Sequence, residues 1–178
     1  MAGMYCVYHG PQGVKAIAQR IHGLTSKLNN GLKQLGYSQI NGSFFDTLKI
    51  DAGTKDKKNG LRKKFENAEI NLRYFDEKFI GISIDETVTD ADIDELLKIF
   101  GDGRTVKASL NGAGLPEQLK RRTDFLTHPV FNVHHSETEM LRYMKKLENK
   151  DLSLNASMIP LGSCTMKLNA TTEMIPVT

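Results

Sequence analysis

This sequence lacks the marks of three classes of protein: membrane-spanning, secreted and nucleic-acid-binding. No apolar run approaches the ~20 residues that a membrane-spanning helix needs. The first residues, MAGMYCVYHG, lack the basic region and the long apolar core of a signal peptide. The net charge is only +3, without the strong basic excess that is typical of nucleic-acid-binding domains. We therefore expect a globular protein that binds neither a membrane nor nucleic acid.

Cysteine is also scarce, since Cys6 and Cys164 are the two cysteines of the chain. They form no C-x-x-C pair, so neither a disulfide framework nor a zinc site is predicted. His128, His134 and His135 lie close together in sequence, but their spacing matches no standard metal site. A cap or an interface role is the better interpretation of these histidines, and no metal is expected. Two free thiols fit a reducing compartment.

A long helix is predicted near the start of the chain. Pro11 suits its first turn, and Gly36 suits a stop just past its end. Its apolar residues recur at three- and four-residue spacings, as one helical stripe: Val14, Ile17, Ala18, Ile21, Leu24, Leu28, Leu32 and Leu35. A helix of this length is expected to connect parts of the fold.

The next residues predict a small α+β layer. FFDTLKID, at 44–51, is typical of a strand, and NGLRKKFENAE of a short helix. INLRYF and FIGISID both alternate and are separated by a polar DEK, which predicts a hairpin. Thr89 and Asp92 resemble a capping box before another helix, which Gly101 ends. The order predicts a small open antiparallel or mixed sheet with helices on one face.

The last third of the chain has a different character. Residues 103–133 contain Gly, Pro and charges without a sustained period, so we predict a linker with a short helical turn near 116–122. Ser136 and Glu139 then open a helix, whose apolar stripe comprises Met140, Leu141, Met144 and Leu147. An irregular apolar sequence follows, so residues 134–178 are expected to be the truncated start of a further domain.

Two basic runs, KDKKNGLRKK and KRR, are predicted to be solvated helix faces. No aromatic residues interleave with them, and acidic residues interrupt both neighbourhoods.

GSCTMK, at 162–167, is the strongest candidate for chemistry. Small residues after a proline favour a tight loop whose amides, with the hydroxyls of Ser163 and Thr165, could bind a carboxylate or a phosphate. Lys167 is one residue too far from Ser163 for an S-x-x-K nucleophile motif. Cys164 could act as a nucleophile only beside a base and positive charge. From the residues alone, the purpose of this loop stays open.

Several segments resemble one enzyme family. HSETEMLRYMKKLENKDLSL and SMIPLGSCTMKLN, together with YHGPQG, FFDTLKI, NLRYF and GISIDETV, resemble the middle of the glycine cleavage system P-protein family, the decarboxylating glycine dehydrogenases. The resemblance covers essentially the whole chain. It implies two related halves of pyridoxal phosphate fold type I. Residues 1–102 would then be the small domain that closes the first half, and residues 134–178 would begin the second half.

The resemblance also implies an activity for the intact enzyme. Such an oxidoreductase releases CO2 from glycine on pyridoxal phosphate and passes the aminomethyl group to the lipoyl-lysine of the H-protein. The intact enzyme would be a homodimer in the bacterial cytoplasm or, in a eukaryote, in the mitochondrial matrix. The family's pyridoxal phosphate lysine lies beyond this chain. We therefore expect no catalytic residue here, no bound cofactor, and no activity for this fragment alone.

Within that family, the GSCTMK loop has two interpretations. Gly162, Ser163 and Thr165 would receive the glycine carboxylate or line the entrance for the lipoyl arm, with Cys164 and Lys167 close to the active site. Alternatively, the loop only anchors the start of the second half. A rival interpretation of the whole chain is a free-standing α+β module that binds a ligand or assists assembly without catalysis.

Overall fold

The computed structural model describes residues 1–75, 77–108 and 115–151. They form an α+β structure with a four-stranded antiparallel sheet in the order β1-β2-β4-β3. The elements in chain order are α1 (Ala2–Gln34), β1 (Ser38–Gln39), β2 (Thr47–Asp51), α2 (Lys55–Asn67), β3 (Arg73–Tyr74), β4 (Phe79–Ser83), α3 (Asp90–Phe100), two short 3-10 helices (Glu117–Leu119 and Pro129–Asn132) and α4 (Glu137–Glu148). The predicted α+β class is confirmed.

The described chain divides into two compact units. Residues 12–124 form one unit, and residues 1–11 with residues 125–151 belong to the other. The division at residues 102 and 133 that the sequence suggests stays a prediction. Among the helices of the described ranges, none has the length and apolar character that crossing a membrane requires.

The long first helix is confirmed from Pro11 onward, and a helical segment that was not predicted precedes it within α1. Residues 2–9 are also helical, and the backbone leaves helical geometry at Gly10, with φ 64° and ψ 179°. Pro11 directly follows, at a helix start where its missing N–H costs nothing. The helix ends as predicted, because Gly36 has φ +87°. Its N–H donates to the Lys33 carbonyl at 3.0 Å, which satisfies an otherwise free carbonyl.

The sheet is built around β2 and β4, which pair antiparallel with Leu48 opposite Ile82 and Ile50 opposite Ile80. The hairpin prediction is confirmed, because β3 pairs antiparallel with β4. The alternative of a mixed sheet is wrong, since every pair of strands in the described residues is antiparallel. The strand predicted at 44–51 begins only at Thr47. The short β1 was not predicted.

One apolar cluster joins three helices to one face of the sheet. The sheet contributes alternate residues of β2 and β4, as the period of two requires. The cluster includes Leu48, Ile50, Ile80 and Ile82 from the sheet, Leu24, Leu28 and Leu32 from α1, Leu61 and Phe65 from α2, and Ile93, Leu96, Leu97 and Phe100 from α3. Full burial of each such side chain contributes about 1.5–3 kcal/mol.

Side chains cap the helices where the sequence predicts. Thr89 caps α3, with its N–H donating to Asp92 Oδ2 at 2.7 Å and its Oγ1 accepting from the Asp92 N–H at 3.4 Å. Ser136 caps α4 by accepting from the Glu139 N–H at 3.3 Å. Gly101 is the C-cap of α3. These local signals fix where α3 begins and ends and where α4 begins.

Candidate functional site

The GSCTMK loop lies outside the described residues. Gly162, Ser163, Cys164, Thr165 and Lys167 therefore remain predictions, and the described part of the chain neither supports nor opposes a role for them. Among the described residues, three histidines and two lysines are candidates for a functional site.

The histidines have separate structural contacts. His128 caps the 3-10 helix at 129–132, because its Nδ1 accepts from the Val130 N–H at 3.2 Å. The cap role is thus confirmed for His128. The His134 ring stacks on Tyr143, with centroids 4.3 Å apart. His135 Nδ1 lies 2.7 Å from the Tyr8 carbonyl oxygen.

Gly10 and His135 bring the two distant segments of their unit together. A Cβ at residue 10 would lie 2.9 Å from His135 Cε1 and 2.8 Å from the Phe131 carbonyl oxygen. The segment at residues 8–10 is therefore packed against His135, which their separation in sequence does not reveal. Within the described ranges, no three His, Cys, Asp or Glu residues are grouped so that they could hold a metal ion.

An open depression of about 430 Å³ lies beside α1 and α3. Its lining includes Lys27 from α1, Asp94, Leu97 and Lys98 from α3, and residues 105–108. Within this lining, Lys27 is ion-paired with Asp94.

Lys27 is a fixed cation in a cluster with Asp90 and Asp94. Its Nζ lies 2.8 Å from Asp90 Oδ1 and 2.9 Å from Asp94 Oδ1, and its side chain is only 12% exposed. Burial lowers the pKa of Lys27, but its hydrogen bonds to the two carboxylates outweigh burial, so the pKa lies above its ordinary value of 10.5. An amine must lose its proton to act as a nucleophile. Lys27 is therefore suited to structure and not to covalent catalysis.

Lys58 is the buried lysine of α2, with only 8% of its surface exposed. Its Nζ donates to the Phe75 carbonyl oxygen at 2.9 Å. This bond ties α2 to the chain just after β3, so Lys58 also has a structural role.

The Lys27 cluster is a feature that the sequence analysis missed. Asp90 and Asp94 are four residues apart, so their placement on one face of a helix follows from the sequence. Lys27 lies 63 residues before Asp90, and only the packing of α1 on α3 brings it to them. The sequence therefore indicates that Asp90 and Asp94 share a helix face, but it does not indicate that Lys27 is their partner.

Comparison with known proteins identifies the family. The family model described as "Glycine cleavage system P-protein" matches residues 1–100, which is more than half of the chain. The chain belongs to the glycine cleavage system P-protein family. This match confirms the resemblance found in the sequence motifs, and it covers α1 to α3.

Alignments with curated relatives extend the similarity over the rest of the chain. A "Glycine dehydrogenase (decarboxylating)" from Stutzerimonas stutzeri is 52% identical, and one from Vibrio cholerae is 54% identical. A "Glycine dehydrogenase (decarboxylating) 2" from Pseudomonas putida is 53% identical. Each alignment covers 100% of this chain but 19% of the relative. The chain thus spans about a fifth of the length of these relatives.

Proposed function

We propose that this chain is a section of a pyridoxal-phosphate-dependent glycine decarboxylase of the glycine cleavage system. The intact enzyme would release CO2 from glycine and pass the remaining aminomethyl group to the lipoyl-lysine of the H-protein. One observation carries the proposal, namely 52–54% identity over the whole chain to proteins named glycine dehydrogenase (decarboxylating).

Lys27 and Lys58 do not fit the role of a pyridoxal phosphate lysine. A Schiff base with the cofactor needs an unprotonated lysine amine, but Lys27 is held as a cation by two carboxylates. Those carboxylates would also repel the cofactor's phosphate. Lys58, which is buried, is bound to the Phe75 carbonyl. No step through the cofactor is therefore assigned to these residues.

The role that remains for the chain in this proposal is structural. Residues 1–102 would form the small domain of the first half, and residues 134–178 would begin the second half. The cofactor lysine would come from other segments of the enzyme. The 178-residue chain by itself would then be catalytically inactive.

The purified chain tests this assignment directly. It would be mixed with pyridoxal phosphate, carboxyl-labelled glycine and lipoylated H-protein, with the full-length Vibrio cholerae relative as a positive control. We expect labelled CO2 from the relative and none from the chain, and no Schiff-base absorbance from the chain after dialysis. Labelled CO2 from the chain alone would overturn its assignment as an inactive section.

A chimera tests whether the chain belongs in such an enzyme. The 178 residues would replace the aligned segment of the Vibrio cholerae relative, to which they are 54% identical. We expect the chimera to fold and to decarboxylate glycine. A folded chimera that binds the cofactor but releases no CO2 would contradict the proposed function.

The same chimera tests the loop. We propose that Gly162, Ser163 and Thr165 line the glycine or lipoyl-arm site, with Cys164 and Lys167 near it. Ser163→Ala with Thr165→Ala would then raise the KM for glycine or for the H-protein. Unchanged kinetic constants would rule out the binding role and leave the alternative that the loop only anchors the start of the second half. Ser153→Ala with Thr172→Ala provides a matched control outside the loop.

A further inference from the structure

The outer face of the sheet, opposite the apolar core, has basic and aromatic side chains in register. Lys49 in β2 is opposite Gly81 in β4, which is opposite Arg73 in β3. Phe79 lies two residues from Gly81 and shares its face, since alternate residues of a strand face the same way. The Phe75 N–H donates to the Phe79 carbonyl at 3.1 Å. Lys49, Arg73, Phe75 and Phe79 are here termed the open sheet face.

The two rings position the cations of the open sheet face. Lys49 Nζ lies 5.0 Å from the centroid of the Phe75 ring and 4.8 Å from that of Phe79. Arg73 Cζ lies 5.1 Å from the Phe75 centroid. At these distances the ring electrons attract the cations. Both cations are therefore oriented before any partner arrives, which reduces the entropy that binding must cost.

Gly81 allows this arrangement. A Cβ at residue 81 would lie 2.9 Å from Phe75 Cε2. Only a glycine in β4 leaves space for the Phe75 ring to lie across the strand. The arrangement of the open sheet face therefore depends on the glycine at residue 81.

The open sheet face contains two cations, Lys49 and Arg73. Asp51, on the same side of β2, is ion-paired with Lys78 at 2.6 Å, so each compensates the other. Lys49 and Arg73 have no carboxylate within ion-pair distance among residues 1–75, 77–108 and 115–151. The face therefore presents two positioned cations that a negative ligand would neutralise.

We propose that the open sheet face docks a partner protein through clustered carboxylates. Ile40 supplies an apolar contact beside Lys49, because its N–H donates to the Lys49 carbonyl at 3.0 Å and its side chain is 45% exposed. Single-stranded nucleic acid also binds basic and aromatic surfaces, but it needs free ring faces on which bases stack. Here lysine and arginine lie over the rings, which favours carboxylates. This inference is independent of the decarboxylase assignment.

A labelled deca-glutamate peptide is the probe, with deca-glutamine and a thymidine oligonucleotide for comparison. Fluorescence anisotropy with the full 178-residue chain should show binding of deca-glutamate at low salt and loss of binding above ~0.15 M salt, where charges are screened beyond ~8 Å. Deca-glutamine should not bind. Absence of deca-glutamate binding at low salt would overturn the proposal.

Matched variants locate the binding. Lys49→Gln with Arg73→Gln should weaken the affinity for deca-glutamate by about tenfold, given two exposed charge pairs. Lys55→Gln with Lys63→Gln removes the same charge from α2 and should change the affinity by less than about twofold. Equal losses in the two double variants would show nonspecific attraction and overturn the proposal.

A variant that keeps both cations separates the effect of the aromatic rings of the open sheet face from the effect of net charge. Phe75→Leu removes a ring without removing a cation, and circular dichroism would establish that it is folded. We expect about threefold weaker binding, because Lys49 and Arg73 lose their orientation. Unchanged affinity in a folded Phe75→Leu chain would contradict the proposal that the Phe75 ring orients the two cations for binding. Tighter binding of the oligonucleotide than of deca-glutamate, lost in Lys49→Gln with Arg73→Gln, would assign the face to nucleic acid instead.

Discussion

Gly31 in α1 packs against Leu97 in α3 so closely that no side chain fits between them. A Cβ at residue 31 would lie 2.4 Å from Leu97 Cδ2 and 2.5 Å from its Cδ1. Leu97 is 2% exposed and is enclosed by the core, so it has little freedom to move aside. A glycine inside a helix costs about 1 kcal/mol relative to alanine. In return, the glycine lets α1 and α3 approach each other closely.

Gly31→Ala should therefore destabilise the chain despite its better helix propensity. Overpacking a core costs about 1–3 kcal/mol, so after the gain in helix propensity we expect a net loss of up to about 2 kcal/mol in the free energy of unfolding by urea. Gly60→Ala in α2 is the control, because a Cβ there meets nothing within 4 Å. It should stabilise by about 0.5–1 kcal/mol. Stabilisation by both variants would show that Leu97 yields easily.

Gly10→Ala should loosen the unit to which Gly10 belongs. Its φ of 64° disfavours a side chain, and a Cβ would lie 2.8 Å from the Phe131 carbonyl oxygen and 2.9 Å from His135 Cε1. We expect a local loss of about 2 kcal/mol, measured as faster hydrogen exchange over residues 2–9. Gly3→Ala, with open space around its Cβ, should slow that exchange. Equal protection in wild type and Gly10→Ala would contradict the packing.

Lys58→Met should destabilise the chain although it keeps the apolar stem. The variant removes the donor to the Phe75 carbonyl, and a hydrogen bond from a charged group contributes about 1.5–3 kcal/mol. Urea unfolding should detect a loss in that range. Lys57→Met, at an exposed neighbouring position, should change the free energy of unfolding by less than about 0.5 kcal/mol. Similar effects of the two variants would make the Lys58 bond unimportant.

Local signals predicted much of the fold. Thr89 and Asp92 mark the start of α3, Gly36 marks the end of α1, and two alternating segments mark the β3–β4 hairpin. Each of these depends on residues that are close in sequence. Helix propensity, capping and alternation act over a few residues, and a single sequence contains all of that information.

The parts that were missed depend on distant residues. The helical residues 2–9 of α1 are separated from the predicted helix by the break at Gly10, and their packing partners Phe131 and His135 lie far along the chain. The two-residue β1 exists only because β2 is beside it. Lys27 and the Phe75–Lys49 contact join elements that are far apart in the chain. The Lys27 cluster could therefore not be derived before the packing of α1 on α3 was known, nor the open sheet face before the sheet order was known.

The pairing of Asp51 predicts a defined loss of stability in acid. The Lys78 ammonium at 2.6 Å and the Gly53 N–H at 2.7 Å hold the pKa of the Asp51 carboxyl below its ordinary value of 3.8. A carboxyl whose pKa is lowered by folding stabilises the folded state above the unfolded pKa, and this contribution is lost as the pH falls through the folded pKa. Urea unfolding of wild type and Asp51→Asn should therefore differ by a constant amount near neutral pH, with wild type more stable, and the difference should shrink below pH 3.8. Asp124→Asn, at an exposed position, is the control for loss of one carboxylate. If the difference between wild type and Asp51→Asn keeps its neutral value down to about pH 2, the ion pair with Lys78 does not stabilise the folded chain.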